Sequence, residues 1–347
     1  MNQIPLTPKL RDARVTLAHG GGGKAMRDLI EAVFTSQFEP DGNEDQARLE
    51  VPEVLLSGGQ LAFTTDSYVI HPIEFPGGDI GKIAVCGTVN DLVVGGAHPL
   101  WLSASFILEE GTEIALLQRV VGSMCEAAAD AGVRIVTGDT KVVERGSADK
   151  IFITTSGVGA IPSDTHLAAA NVSPGDVAIV NGVLGDHGAA ILTARGDLAL
   201  SSDIKSDCQP LQRLMEAVKK AAPGIRCARD ATRGGLASAL NEIADASGVS
   251  ITIDESVLPL RKEVKGVCEI LGLDPLYLAN EGTLVLFVPP EQADDAVAAM
   301  RDTPEGKGAV VIGTAGSGIP GRVDMTTVFG GSRIVDMLVG EQLPRIC

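Results

Sequence analysis

The stretch RDATRGGLASALNEIADASG, residues 229–248, joins a charged, glycine-bearing turn to a helix. Leu236, Leu240 and Ile243 recur at helical spacing and read as its inward face, so Asp230 stands at the entrance of an apolar element. Three other stretches are built alike. LAFTTDS (61–67) reads as a strand ending in Asp66, GKIAVCGTVNDLVVGGA (81–97) as a buried helix carrying Asn90 and Asp91, and RIVTGDTKVV (134–143) as a strand running into Asp139 and Lys141. A helix cap or a turn accounts for any one such aspartate. Four at comparable ends of apolar segments, Asp66, Asp91, Asp139 and Asp230, make a candidate set of oxygen ligands for magnesium and the phosphates it carries.

Upstream, AHGGGGKAMRDLIEAVF (18–34) is a glycine loop followed by a helix with Met26, Leu29, Ile30 and Val33 at helical spacing. Consecutive glycines let backbone N–H groups approach phosphates, and the helix that follows offers its positive end. The P-loop pattern fails, because Lys24 is followed by Ala25; a hinge before a helix is the other reading. Residues 36–60 are acidic and loop-like, WLSASFIL (101–108) is extended, and a helix is predicted near 112–131 with Ile114, Leu117, Val121 and Met124 on one face. KIFITTSGVGAI (150–161) closes the first half. Proline, serine and aspartate then interrupt the apolar pattern in IPSDTHLAAANVSPGD (161–176), which reads as a linker. Beyond it, DVAIVNG is a strand, GDHGAAILTARG a loop entering a short helix, and TLVLFV and AVVIGT late strands flanking a helix at 291–301. GEQLPRIC (340–347) has no periodicity and reads as a mobile tail.

A chain of 347 residues is comfortable for two domains, and 45% hydrophobic, 3% aromatic residues with 41 glycines fit an α/β protein with tight turns. No apolar run approaches the roughly 20 residues of a membrane helix, and the first residues lack the apolar core of a signal peptide, so a cytoplasmic protein is expected. The formal charge of −17 repels nucleic acid and anionic lipid. Six cysteines, at 86, 125, 208, 227, 268 and 347, form no CxxC and are expected as free thiols. The histidines form no HExxH, and no G-x-S-x-G elbow is present, which disfavours zinc chemistry and a serine hydrolase.

TTDS (64–67), NDL (90–92), GDTK (138–141) and DATRGG (230–235), in this order over nearly the whole chain, resemble the signature of the PurM-like ATP-binding superfamily. The ending PRIC (344–347) is similar to the terminal motif of one branch, the HypE family of hydrogenase maturation factors. The resemblance implies an α/β (α+β) two-domain PurM-like fold: a glycine-loop segment 1–45, an ATP-binding and dimerising domain 46–161, a second α/β domain 171–339, and a flexible tail 340–347 ending in Cys347. It implies ATP held between the domains, with Gly20, Gly21, Gly22, Gly23 and Lys24 over the phosphates. Asp66, Asp91, Asp139 and Asp230 would lie at the Mg2+–phosphate site, with Asn90, Thr140 and Thr232 close by. Lys141 and Glu281, in LANEGTL (278–284), would act on an adduct carried by Cys347. The implied activity is ATP-dependent dehydration of an S-carbamoyl group on Cys347 to thiocyanate, supplying cyanide ligands for the NiFe hydrogenase iron centre. The implied partners are a second copy of the chain, a HypF-type carbamoyltransferase and a HypC–HypD complex. Without the resemblance, Lys141 is a surface cation, Glu281 a solvated loop carboxylate and Cys347 a frayed end. Sister enzymes that phosphorylate a free small molecule, and an ATP-binding scaffold without catalysis, are the competing readings.

Overall fold

The computed structural model describes residues 10, 12–38, 46–196, 203–338, 340 and 345–347; the first nine residues, 39–45 of the acidic segment and 341–344 of the tail lie outside the described residues. The first half contains β1 (Gln60–Tyr68), a small hairpin of β2 (Glu74–Phe75) and β3 (Gly78–Asp79), β4 (His98–Glu109), β5 (Arg134–Val143) and β6 (Ile151–Ile161). Its four-stranded sheet runs β1-β6-β4-β5, with β4 and β5 parallel and the other neighbours antiparallel. The glycine loop leads into α1 (Lys24–Leu29), which continues through a π-type turn at Ile30–Thr35 into α2 (Ser36–Phe38). The acidic segment expected as loop contains a short α3 (Glu53–Leu56). α4 (Ile80–Val94) and α5 (Ile114–Asp130) follow.

α4 is apolar on nearly every side and therefore needs partners all round. It starts where the Asp79 carboxylate accepts Gly81 N at 2.7 Å and Lys82 N at 2.9 Å, a cap steadied by the Ser123 hydroxyl at 2.6 Å. It then runs between the first sheet, α5 and the second half of the chain. Only one face of the first sheet is covered this way. On the other face Phe63 is 68% exposed, Leu61 62% and Ile107 41%.

The second half holds β7 (Val177–Val180), β8 (Cys227–Asp230), β9 (Ser250–Asp254), β10 (Leu284–Val288), β11 (Val310–Gly316), β12 (Val323–Thr326) and β13 (Ser332–Ile334). They form one sheet in the order β13-β12-β9-β11-β7-β10-β8, antiparallel except for the parallel pair β12 and β9. Its helices are α6 (Asp186–Ala194), α7 (Gln212–Ala221), α8 (Gly235–Ser247), α9 (Lys262–Leu271) and α10 (Ala293–Arg301). β7 and β10 are buried at every position, as expected of strands covered on both faces. α4 meets β8 and α7. The end of α4, the middle of β1 and the end of β8 thereby come to one place.

Candidate active site

β8 delivers Asp230 and stops. The chain reverses into α8 through Gly234 and Gly235, at φ of 73° and 62°, and a Cβ on Gly235 would collide with the carbonyl oxygen of Leu276. Two glycines are required there, which explains the RGG of the motif. Asp91, near the end of α4, accepts the Thr64 hydroxyl of β1 at 3.0 Å, and Asp66 lies two residues further along the same strand. Burial, and then the charges of Asp230 and Asp66, push the Asp91 carboxyl up to about 6. Burial likewise raises Asp230, with Asp66 adding to the effect while backbone hydrogen bonding and the Arg229 charge oppose it.

Glu281 precedes β10 and is 3% exposed, so the solvated-loop reading of this residue does not hold. Its Oε1 has no hydrogen-bond partner, and burial together with Asp207, Asp230 and Asp66 raises its pKa well above the carboxylate range. The backbone around it is fixed from two sides. The Asp207 carboxylate accepts Glu281 N, Gly282 N and the Thr283 hydroxyl, each at 3.0 Å. The Asn90 amide donates to Gln209 O at 3.1 Å and Glu281 O at 3.3 Å, and its oxygen accepts Leu211 N at 2.8 Å. Asn90, expected close by the phosphate site, thus braces the Glu281 loop with its polar atoms taken by backbone.

Cys347 comes to the same place. Arg233 Nε donates to its Sγ at 3.2 Å, and burial, with a further contribution from Glu281, pushes the thiol up to about 12. The tail end expected to be mobile is docked over its last three residues: Val69 N donates to Cys347 O and His71 N to Arg345 O, both at 3.3 Å, and Ile346 is buried in an apolar cluster drawn from both halves of the chain. Edge backbone groups beyond β1 and an apolar socket for Ile346 account for this. Arg345 pairs with Asp149 at 2.5 Å. A cavity of about 400 Å3 opens beside the thiol, lined by Ser67, Arg233, Tyr277, Ala279 and Leu338 among others.

The remaining expected residues lie elsewhere. Asp139, Thr140 and Lys141 sit on β5, the edge of the sheet opposite β1, so Asp139 does not join Asp66, Asp91 and Asp230. Lys141 is exposed and 3.7 Å from Asp139, while Thr140 is buried. The glycine loop is on this side too, with Gly20 tight against Val142, and Lys24 is exposed and paired with Asp28 at 3.1 Å. Between this loop's helix and the strands is a second cavity of about 620 Å3, bordered by Phe34, Phe106, Asp139 and Thr140. Among the described residues no three His, Cys, Asp or Glu side chains gather as a metal-binding group. The donor chemistry of Asp66, Asp91 and Asp230 nevertheless fits a hard divalent ion, since their mutual repulsion is what such an ion relieves. Sequence reasoning missed Arg233, Asp207 and His187. Arg233 was visible inside DATRGG, whereas Asp207 and His187 act through distant partners and carry no local signal.

Residues 43–161 match the N-terminal domain of AIR synthase related proteins and residues 173–324 match the C-terminal domain. The carbamoyl dehydratase HypE of Rhodobacter capsulatus is 71% identical over 338 residues, covering 97% of this chain and 99% of the relative. A crystal structure of the hydrogenase maturation protein HypE in complex with ATP superposes with a TM-score of 0.89 at 46% identity, covering 95% of this chain and 99% of that one. A HypE–HypF complex structure gives 0.78 at 45% identity, covering 89% and 99%. Both halves are matched in order, and the relatives align almost end to end: the chain belongs to the AIR synthase related family and, within it, to the HypE carbamoyl dehydratases.

Proposed function

We propose that this chain uses ATP and Mg2+ to remove water from a carbamoyl group on its own Cys347, leaving a thiocyanate whose cyanide serves the NiFe hydrogenase iron centre. The observation that carries this reading is the terminal thiol docked beside Arg233 and the buried carboxyl of Glu281. A carboxamide loses water poorly because its oxygen is a bad leaving group and its nitrogen protons are weakly acidic. Phosphorylation of that oxygen by ATP removes the first obstacle, and magnesium offsets the charge on the phosphates. In the balance, one nitrogen proton is released as the imidate phosphate forms; the C–O bond then breaks as the second proton leaves, giving S–C≡N and inorganic phosphate. Glu281 is placed to take the proton. Asp66, Asp91 and Asp230 would hold the magnesium, and Arg233 steadies the sulfur end.

Burial, with the charges of Asp207, Asp230 and Asp66, raises the Glu281 pKa and favours its neutral form. A cation brought next to it lowers its pKa and makes it a base. Lys141 has the right charge but stands on the wrong edge of its own sheet. A two-fold dimer that joins the exposed faces of two sheets through Leu61 and Phe63 would bring Lys141, Asp139 and the glycine loop of one copy to Asp66 and Glu281 of the other. The homodimer is therefore part of the reading. A HypF-type carbamoyltransferase would load Cys347 and a HypC–HypD complex would accept the cyanide; the HypE–HypF complex supports the first.

The test is mass spectrometry of the carboxy-terminal peptide after carbamoylation. Adding Mg-ATP should remove one water from the adduct on Cys347. An adduct that persists with ATP consumed would sink the proposal in favour of a sister kinase, and an adduct that persists with ATP intact in favour of a scaffold.

A further inference from the structure

Among the groups that hold the tail is a buried imidazole that belongs to neither the carboxylate cluster nor the thiol. His187, at the start of α6, is 0% exposed, and its Nε2 lies 2.7 Å from Ile346 O. A carbonyl can only accept, so Nε2 carries the hydrogen and Nδ1 is the bare nitrogen. Nδ1 lies 2.8 Å from Ser206 Oγ, which then donates to it while accepting Cys208 N at 3.1 Å. The imidazole is thus fixed in one tautomer, edge-on to Phe75 at 5.6 Å between ring centres. Ser206 is also tied to the first half of the chain, its N–H donating to Pro76 O at 2.8 Å. The next residue, Asp207, is the one that clamps the backbone of Glu281.

We propose that His187 is a positioning residue for the dehydration: its Nε2–H seats the penultimate carbonyl of the tail, and through Ser206 it ties the seated tail to the strap that holds Glu281. The inference rests on the reading of Cys347 as the acceptor. It adds that the thiol and the base are placed by one continuous set of contacts, Ile346–His187–Ser206–Asp207–Glu281, rather than separately. Loss of the Nε2 donor leaves a buried carbonyl unpaired, so the tail tip spends more time outside its slot.

Two isosteric substitutions separate seating from simple packing. His187→Gln puts an amide nitrogen where Nε2 was, and His187→Asn puts one only where Nδ1 was. The readout is the rate of Cys347 alkylation by iodoacetamide, followed by mass in the carboxy-terminal peptide, beside the rate of ATP-dependent water loss from the carbamoylated protein. His187→Asn should speed alkylation and slow water loss, each by about tenfold, the scale of one lost buried hydrogen bond, while His187→Gln stays near wild type. Equal rates in the two variants, whether both unchanged or both altered, would overturn the proposal. If His187→Asn does not fold, Ser206→Ala decides: faster alkylation supports the relay and an unchanged rate refutes it. Alkylation needs no ATP, so a wild-type protein that never dehydrates its adduct would remove the proposed activity while the labelling still reads the seat.

Discussion

Glu281 is one carboxyl among several, and what sets it apart is that its Oε1 is buried and unpaired while Asp207, Asp230 and Asp66 act on it. Burial and the nearby carboxylates raise its pKa and so favour its neutral form, whose size and polarity Glu281→Gln keeps. We expect this variant to fold and bind ATP as the wild type does, and to lose water from the Cys347 adduct slower by a factor on the order of 100 or more, the usual worth of a positioned base. Peptide mass against time measures it, and a wild-type rate would remove Glu281 from the role of base. At this scale the sequence was informative about identity and poor about surroundings. Asp66, Asp91, Asp139 and Asp230 could be picked out as acids ending apolar segments, yet spacing along the chain does not disclose that Asp139 stands on β5, the far edge of the sheet from Asp66. The burial of Glu281 depends on Asp207 and Asn90, which lie 74 and 191 positions away in the chain.

The turn between β8 and α8 is the element on which the site depends most directly. Gly235 combines φ of 62° with a backbone wall at Leu276 and Leu278. Gly235→Ala should cost about 3 kcal/mol or more, since strain of about 1–3 kcal/mol adds to a contact that only backbone movement relieves. The urea midpoint measures the loss; a midpoint within error of wild type would show that the turn relaxes freely. Long elements were legible for a physical reason. α5 and α8 span 17 and 13 residues, enough for an apolar period to repeat, and α4, at 15, is too long an apolar run for a strand. β9, β12 and β13, of 5, 4 and 3 residues, were not read, because so short a run carries almost no period. α7 was missed despite strong amphipathicity, its 10 residues following a stretch with no clear start signal.

At the scale of the whole molecule, the candidate residues fall into two groups, one near β1 and one on β5, at opposite edges of the first sheet, with exposed Leu61, Phe63 and Ile107 on the face between. Phe63→Glu, placing a charge in that face, should convert the dimer to a monomer by light scattering and abolish ATP-dependent water loss while each subunit keeps its fold. A wild-type protein that is monomeric and fully active would refute the shared site. The docked end of the chain has a further consequence. Leu338 lines the same cavity as Cys347, so only a short span of chain links the body of the protein to its terminal thiol. A short tether keeps its end at a local concentration on the order of millimolar, whatever the amount of protein in solution. Occupation of the slot is then independent of dilution, and a free peptide copying the last residues displaces the tethered end only when supplied above that concentration.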